Sequence, residues 1–430
     1  MRTLALLSLM IAGSAHAQSM FRGDAAHSGA TTEAGPRALH GVKWRFQTGA
    51  RIVSSPVLAA DVLYFGSDDG HLYAVDPTTG VQRWQYATDG PVCSTPAVAA
   101  GLVFFESYDG RFYALDAASG KLKWRFATEG ERRFEAKGLH GFLPKSQTIA
   151  DPFDLFLSSP VVVENSVVFG SGDGHVYALD AATGALRWKF QTGDVVHASP
   201  AYADGRVFVG SWDSVLYALD LATGKEAWRF KAGEDPYIHN QVGFQSSPAV
   251  AGGVVYVGCR DSNLYAIDAQ TGRERWRANN EGSWVVGSPA VAGGKVVFAT
   301  SDSSLLHVVE ADSGKPLVKQ DVRAFVFASP VVAGDVIYLG VTNGSLDARE
   351  LGTGKLLWSF ATDASRRNAG WVLTSERRFN NPLLYYSSWR ETPLVAQDRQ
   401  LSVGSFVSTP LVAGGTVYAG STDGALYAID

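Results

Sequence analysis

The chain has 430 residues, 46% of them hydrophobic, with 37 Lys and Arg against 42 Asp and Glu and a formal net charge of −5. That is enough apolar material for a sizeable core and excludes an intrinsically disordered chain. The charge is spread along the sequence with no basic stripe, which excludes nucleic acid as an expected partner.

The chain begins with Met1-Arg2, an apolar run over 4–12, then Ala15, His16 and Ala17. This is the pattern of a secretory signal over residues 1–17, with cleavage expected before Gln18. No Cys stands at that point, so no lipid anchor is expected. No later apolar run approaches the roughly 20 residues that span a bilayer. The mature chain is expected to be a soluble monomer in the periplasm or outside the cell. Residues 18–40 read as an N-terminal extension and 41–430 as one domain.

From Val42 onward the sequence repeats. Residues 42–46 alternate around Trp44 and read as a strand. The first full unit follows. Ser55-Pro56 opens an apolar run, 63–66 is a second, and Asp68-Asp69-Gly70 is a turn. Residues 72–76 are a third run, Thr78-Thr79-Gly80 a second turn, and 83–86, with Trp84, a fourth. Short runs rich in Val, Tyr and Phe between Gly and Asp clusters read as strands joined by tight turns. The same opener recurs at Thr95-Pro96, Ser159-Pro160, Ser199-Pro200, Ser247-Pro248, Ser288-Pro289, Ser329-Pro330 and Thr409-Pro410. A period near 40 residues of four short strands predicts a propeller of eight four-stranded antiparallel blades, an all-β fold. The last unit stops at Asp430, before its Trp strand. Residues 42–46 are expected to supply that strand and close the ring.

The third and fourth strands carry a stricter pattern, Ala-x-Asp-x-x-Thr/Ser-Gly-x-x-x-Trp. It appears as Ala74/Asp76/Thr79/Gly80/Trp84 and again ending in Trp124, Trp188, Trp228 and Trp276. Blade 6 has Val318 in the Trp position, and blade 7 keeps Trp358 but has Glu350 for Asp. The pattern resembles the tryptophan-docking motif of the pyrroloquinoline-quinone (PQQ) repeat superfamily. That superfamily includes quinoprotein alcohol dehydrogenases and outer-membrane assembly lipoproteins of the BamB type. The resemblance covers nearly the whole mature chain and implies the eight-bladed fold. It implies either a cofactor-free scaffold or a cofactor-dependent enzyme.

The intervals between successive openers are 40, 64, 40, 48, 41, 41 and 80. The stretched ones place insertions near 129–156, 232–244 and 363–405. All three follow a fourth strand, so all are expected on one face, here called the top. The stretch 363–405 lacks a Thr-Gly-x-x-x-Trp run and is expected to be an inserted loop or small lid, not a ninth blade. Its aromatic and Arg content suits a contact surface or a local hydrophobic cluster.

Departures from the repeat point to the same face. Three residues before the prolines stand Val53, Cys93, Leu157, His197, Gln245, Val286, Phe327 and Val407. His197 and Gln245 are the polar exceptions. After the second strand come Trp212-Asp213 in blade 4 and Arg260-Asp261 in blade 5, with His239 and Asn240 in the link between them and Trp284 before blade 6. His197, Trp212, Asp213, His239, Asn240, Gln245, Arg260, Asp261 and Trp284 form the candidate ligand-binding constellation. The simplest partner for Arg260 is Asp213 or Asp261 in a blade-to-blade salt bridge. The periodic turn aspartates read as turn chemistry. Cys93 and Cys259 lie in blades 2 and 5, too far around the ring for a disulfide, and are expected to be buried thiols.

No G-x-S-x-G, H-E-x-x-H or EF-hand loop is present. The scaffold reading expects no cofactor or metal and a partner on the top face: a periplasmic or secreted protein, peptide or glycan. Under the quinoprotein reading implied by the resemblance, PQQ and Ca²⁺ would bind, with Glu106, Asn240 and Asp302 as donors of suitable type. That reading expects an oxidoreductase acting on an alcohol or sugar. The chain lacks the adjacent cysteines of the quinoprotein alcohol dehydrogenases and has no C-x-x-C-H haem segment. A sugar-acting enzyme would draw on Glu135, Asp151, Asp154, Glu376 or Glu391, though no spacing singles out a pair.

Overall fold

The computed structural model describes residues 18–138, 143–144, 146–233, 243–384 and 392–430. Eight antiparallel blades form a ring. Blade 1 pairs Val57–Ala59, Val62–Ser67, His71–Val75 and Gln82–Ala87 in that order. Blade 8 pairs Leu411–Ala413, Thr416–Gly420 and Ala425–Ile429 with Val42–Gln47, so the N-terminal strand closes the ring as expected.

The Trp pattern works as a joint between blades. Trp84 Nε1 donates to Ala117 O at 3.0 Å, and Trp124, Trp188, Trp228 and Trp276 reach the corresponding carbonyl one blade on. Each indole lies against the turn glycine of the next blade. A Cβ on Gly184, at φ +74°, would stand 2.6 Å from the Trp124 ring. Where blade 6 has Val318, that side chain and Gln320 pack on Gly354 instead. Trp358 donates to Pro36 O in the N-terminal segment at 2.8 Å.

At the axis, the Ser/Thr-Pro pairs do more than open strands. The backbone N–H of Ser55 donates to Thr95 Oγ1 at 3.1 Å, Thr95 to Ser159, Ser159 to Ser199, and Ser199 to Ser247. Ser247 donates to Ser288, Ser288 to Ser329, and Thr409 to Ser55. Seven junctions are thus linked by one repeated bond. A further Thr-Pro pair, Thr392-Pro393, opens the helix Thr392–Ser402 in the third insertion instead of a strand. Proline is tolerated in a helix's first turn, where its missing N–H has no partner to lose.

The segment 18–31 runs around the opposite end of the channel. Its carbonyls at Gln18, Ser19, Ala25, Ala26, Ser28 and Gly29 accept from inner-strand N–H groups of blades 1, 2, 4, 5, 6 and 7. Arg22 donates to the carbonyls of Pro289 and Pro330. This segment, read from the sequence only as an extension, stoppers the bottom of the ring. Among the described residues no helix is long and apolar enough to cross a membrane.

Three outcomes test these joints by urea unfolding. Ser199→Ala leaves the Ser159 N–H without its acceptor and should cost about 1–3 kcal/mol. Gly184→Ala should cost about 2–4 kcal/mol, from a left-handed backbone plus an indole clash. Gly354→Ala should cost less, because Val318 and Gln320 can move aside.

Candidate functional site

The expected top-face insertions leave from the ends of the outer strands of blades 2, 4 and 7. The first carries a two-stranded hairpin, Glu135–Lys137 with Thr148–Ala150. The stretch after it turns inward and covers the axis. Leu155 and Leu157 pack with Val53, Cys93, Val286, Phe327 and Val407, the residues three before the prolines. Leu401, from the helix of the third insertion, joins the same cluster. Gln397 on that helix donates to Pro152 O. Below this cap and above Phe21 an axial cavity of about 40 Å³ remains, lined by the Ser/Thr ring. That is room for a few waters.

Seven of the nine candidate residues lie in the described part of this region; His239 and Asn240 lie outside the described residues. Arg260 is buried. Its Nη1 meets Asp151 Oδ2 at 2.6 Å, and its Nε and Nη2 donate to Gln245 Oε1 at 2.9 and 2.7 Å. The guanidinium lies between two indoles, 4.3 Å from the Trp212 ring centroid and 4.5 Å from that of Trp284. Trp212 in turn stacks on Phe134 of the first insertion at 4.3 Å and 12°. Gln245 Nε2 donates to Phe153 O at 2.7 Å. The structure therefore brings Trp212, Gln245, Arg260 and Trp284 together.

It corrects the expected ion pair. Arg260 pairs with Asp151 of the insertion, not with Asp213 or Asp261. Asp213 accepts from Tyr217 Oη at 2.6 Å and from Gly193 N at 2.7 Å. Asp261 accepts from the Tyr265 hydroxyl and from Gly233 N. Both do the same turn work as Asp69, Asp109 and Asp173.

His197 makes a second buried clasp. Nδ1 lies 2.7 Å from Asp154 Oδ1 and Nε2 2.8 Å from Glu131 Oε1. Burial alone would lower the imidazole pKa. The charge and hydrogen bond of Asp154, then those of Glu131, outweigh it and push the value up to about 10. The ring is an imidazolium between two carboxylates. Asp154 also accepts from Phe134 N, and Glu131 accepts from Ser171 Oγ.

Glu106 stands at the end of a blade 2 strand where Gly66, Gly170, Gly210 and Gly258 stand in other blades. At those glycines a Cβ would strike the residue four before the next proline, such as Val92 or Val196. In the third blade that residue is Phe156, which lines the axial cavity instead. Glu106 is fully buried in blade 2, and neither carboxyl oxygen meets an N–H or O–H donor. Burial, then the facing Glu131 carboxylate, push it well above the usual carboxylate range. Asp302 is exposed in blade 6, across the ring, where Ser301 Oγ donates to it at 2.7 Å. These two do not form one cation site. Among the described residues no group of three His, Cys, Asp or Glu is placed to hold a metal ion.

Sequence reasoning found the frame side of these clasps and missed the insertion side as their partner. Asp151, Asp154 and Glu131 are that side. The signal was present as Asp151-Pro-Phe-Asp154, two acids in a link facing the polar exceptions of blades 4 and 5. Cys93 and Cys259 are buried free thiols, raised by burial.

The ring, the docking tryptophans and the axial site define a PQQ-like eight-bladed propeller. The model of the family described as outer membrane protein assembly factor BamB matches residues 37–141, 140–283 and 260–379. The chain belongs to that family. No curated protein matches it. Among solved structures, BamB from Moraxella catarrhalis is 16% identical, with a TM-score of 0.63 over 91% of this chain and 97% of that one. A europium-containing methanol dehydrogenase is 15% identical, with a TM-score of 0.69 over 96% and 98%. Quinohemoprotein alcohol dehydrogenase from Comamonas testosteroni is 14% identical, with a TM-score of 0.69 over 96% and 80%. At these identities the likeness is one of fold.

The clasp has a pH signature. The folded pKa of His197 lies above imidazole's ordinary 6.5, so its contribution is complete below about pH 6.5 and is lost as pH rises toward 10. His197→Ala should destabilise by about 3–5 kcal/mol near neutral pH, since it leaves buried carboxylates without their cation. In urea titrations across that range the gap to wild type should narrow as pH approaches 10.

Proposed function

We propose that this chain is a non-catalytic binding or assembly scaffold, working outside the cytoplasm after loss of residues 1–17, as a monomer. Its partner would be a periplasmic or secreted protein, peptide or glycan bound on the top face. One observation carries this reading. The flat slot beside the axis, walled by Trp212 and Trp284, already holds Arg260. The first insertion closes over it, and about 40 Å³ is left at the axis. A tricyclic quinone does not fit beside that guanidinium. The donors considered for Ca²⁺ fare no better: Glu106 is buried between blades with its pKa pushed up by burial and the facing Glu131, and Asp302 is exposed across the ring. Membership of a family described as an assembly factor agrees with the scaffold reading.

The candidate residues then act from beneath. Arg260, Gln245 and His197 fix the insertion, and the insertion's outer side is what a partner meets. A direct contact to Arg260 would require the insertion to lift and leave Asp151 and Arg260 unpaired, at a cost of about 3–5 kcal/mol.

Reconstitution with PQQ and Ca²⁺ tests this reading. The expected result is no quinone absorbance band and no dye reduction with alcohols or sugars. A band at saturating cofactor with turnover overturns it. The Arg260→Ala, Trp212→Ala double variant should also capture less periplasmic protein in a pull-down than wild type.

A further inference from the structure

Ten large apolar side chains are exposed among the described residues, and the repeat accounts for many of them. Val42, Leu122, Leu186 and Leu356 each stand two residues before a docking Trp, on the outer strands. Trp371, Leu383 and Leu394 obey no repeat, and all three belong to the third insertion.

Trp371 is the largest of them and 64% exposed. It is not on a loose loop. Its N–H donates to Asn368 O at 3.1 Å, and its carbonyl accepts from Asn380 Nδ2 at 3.3 Å. Its neighbours Val372, Leu373 and Phe379 are buried against blades 6 and 7. Asn380 O accepts from Leu383 N at 2.9 Å, which ties the Trp turn to the short helix Asn381–Leu384. A rigid frame thus holds an indole outward, an arrangement that costs little side-chain entropy on binding.

The charge around it is opposite to that of the chain. Residues 363–384 carry four Arg against Asp363 and Glu376, a net +2 within a chain of net −5. Arg366 pairs with Asp363, and Arg378 with Asp321. Arg367 is exposed and makes no ion pair among the described residues. Arg377 donates to Ser365 Oγ at 2.7 Å and Asn343 O at 3.3 Å, and its Nε has no partner. Burial, then the nearby Arg323, lower the pKa of Arg377, as expected of a cation short of an anion. Asp347, the nearby acid, is already shared by Arg323 and Arg349.

We propose that the outer side of the third insertion docks an acidic peptide segment of a partner protein. An apolar side chain of that segment lies on Trp371 and Leu383, and its carboxylates face Arg367 and Arg377. Trp and Arg are the residues that most often carry binding energy at protein interfaces. The uncompensated positive charge selects an acidic sequence over a neutral one. This inference rests on the scaffold reading and names a partner chemistry and a place for it.

The test selects a phage-displayed library of random linear peptides on the intact chain. Enriched peptides should carry Asp or Glu beside Phe, Trp or Leu. In fluorescence anisotropy, Arg367→Glu and Trp371→Ala should each weaken a selected peptide about tenfold. Added salt should weaken wild-type binding. Both side chains are exposed, so the variants should keep the wild-type unfolding midpoint. Selection of basic or neutral peptides, no selection, or affinities untouched by either variant overturns the proposal. So does concentration-dependent dimerisation lost in Trp371→Ala, which puts a second copy of the chain on this surface. A quinone band would defeat the scaffold reading, whereas failed peptide selection defeats only this surface.

Discussion

The ring depends on one short hydrogen bond used again and again. Where eight strands converge on an axis, their first residues have no sheet neighbour. The N–H just before each proline would be left bare, and a bare buried donor is costly. At seven of the eight junctions it donates to the Ser or Thr hydroxyl of the following blade at 2.9–3.1 Å. Proline holds its predecessor extended, which aims that N–H sideways. The hydroxyl is small enough to sit near the axis and polar enough to accept. One dipeptide therefore starts a strand, satisfies its neighbour and sets the approach of blade to blade. The indole joints at the rim do the same work at larger radius.

Given that frame, the departures become answers to one another. The first insertion brings Glu131, Asp151 and Asp154 over the axis. Blade 4 meets them with His197, blade 5 with Arg260 and Gln245, and blade 2 with Glu106. Each buried charge finds an opposite one. Glu106, buried and facing a like charge, has its pKa pushed up. Buried ion pairs are poor sources of net stability, because desolvation offsets most of the attraction. What they do well is penalise every wrong placement. An insertion shifted by one residue would strand several charges, so these clasps fix where the loop lies.

Legibility in the sequence followed the same division. The fold was readable because the repeated residues act locally or at fixed offset. Gly184 needs its left-handed backbone, Trp124 needs that glycine, and Trp44 needs a blade missing its last strand. The polar half of the site was readable as well, since His197 and Gln245 break an apolar column. Its partners were not. Asp151 and Asp154 reach the axis through a loop whose path no periodicity encodes. Proximity in sequence favoured Asp213 and Asp261, which the turns had already engaged. The segment 18–31 was equally silent. It binds mostly through its own carbonyls, and backbone acceptors leave no mark on residue type.

Trp212 and Trp284 wall a flat gap beside the axis, and a planar group stacked there gains from both faces. In this chain Trp212 and Trp284 close on a guanidinium, and Asp151 from the first insertion neutralises it. A planar cation tethered to the protein competes at very high effective concentration with any free planar ligand. Exchange would also expose a buried carboxylate. Arg260 and Asp151 together therefore fasten the first insertion over the axis.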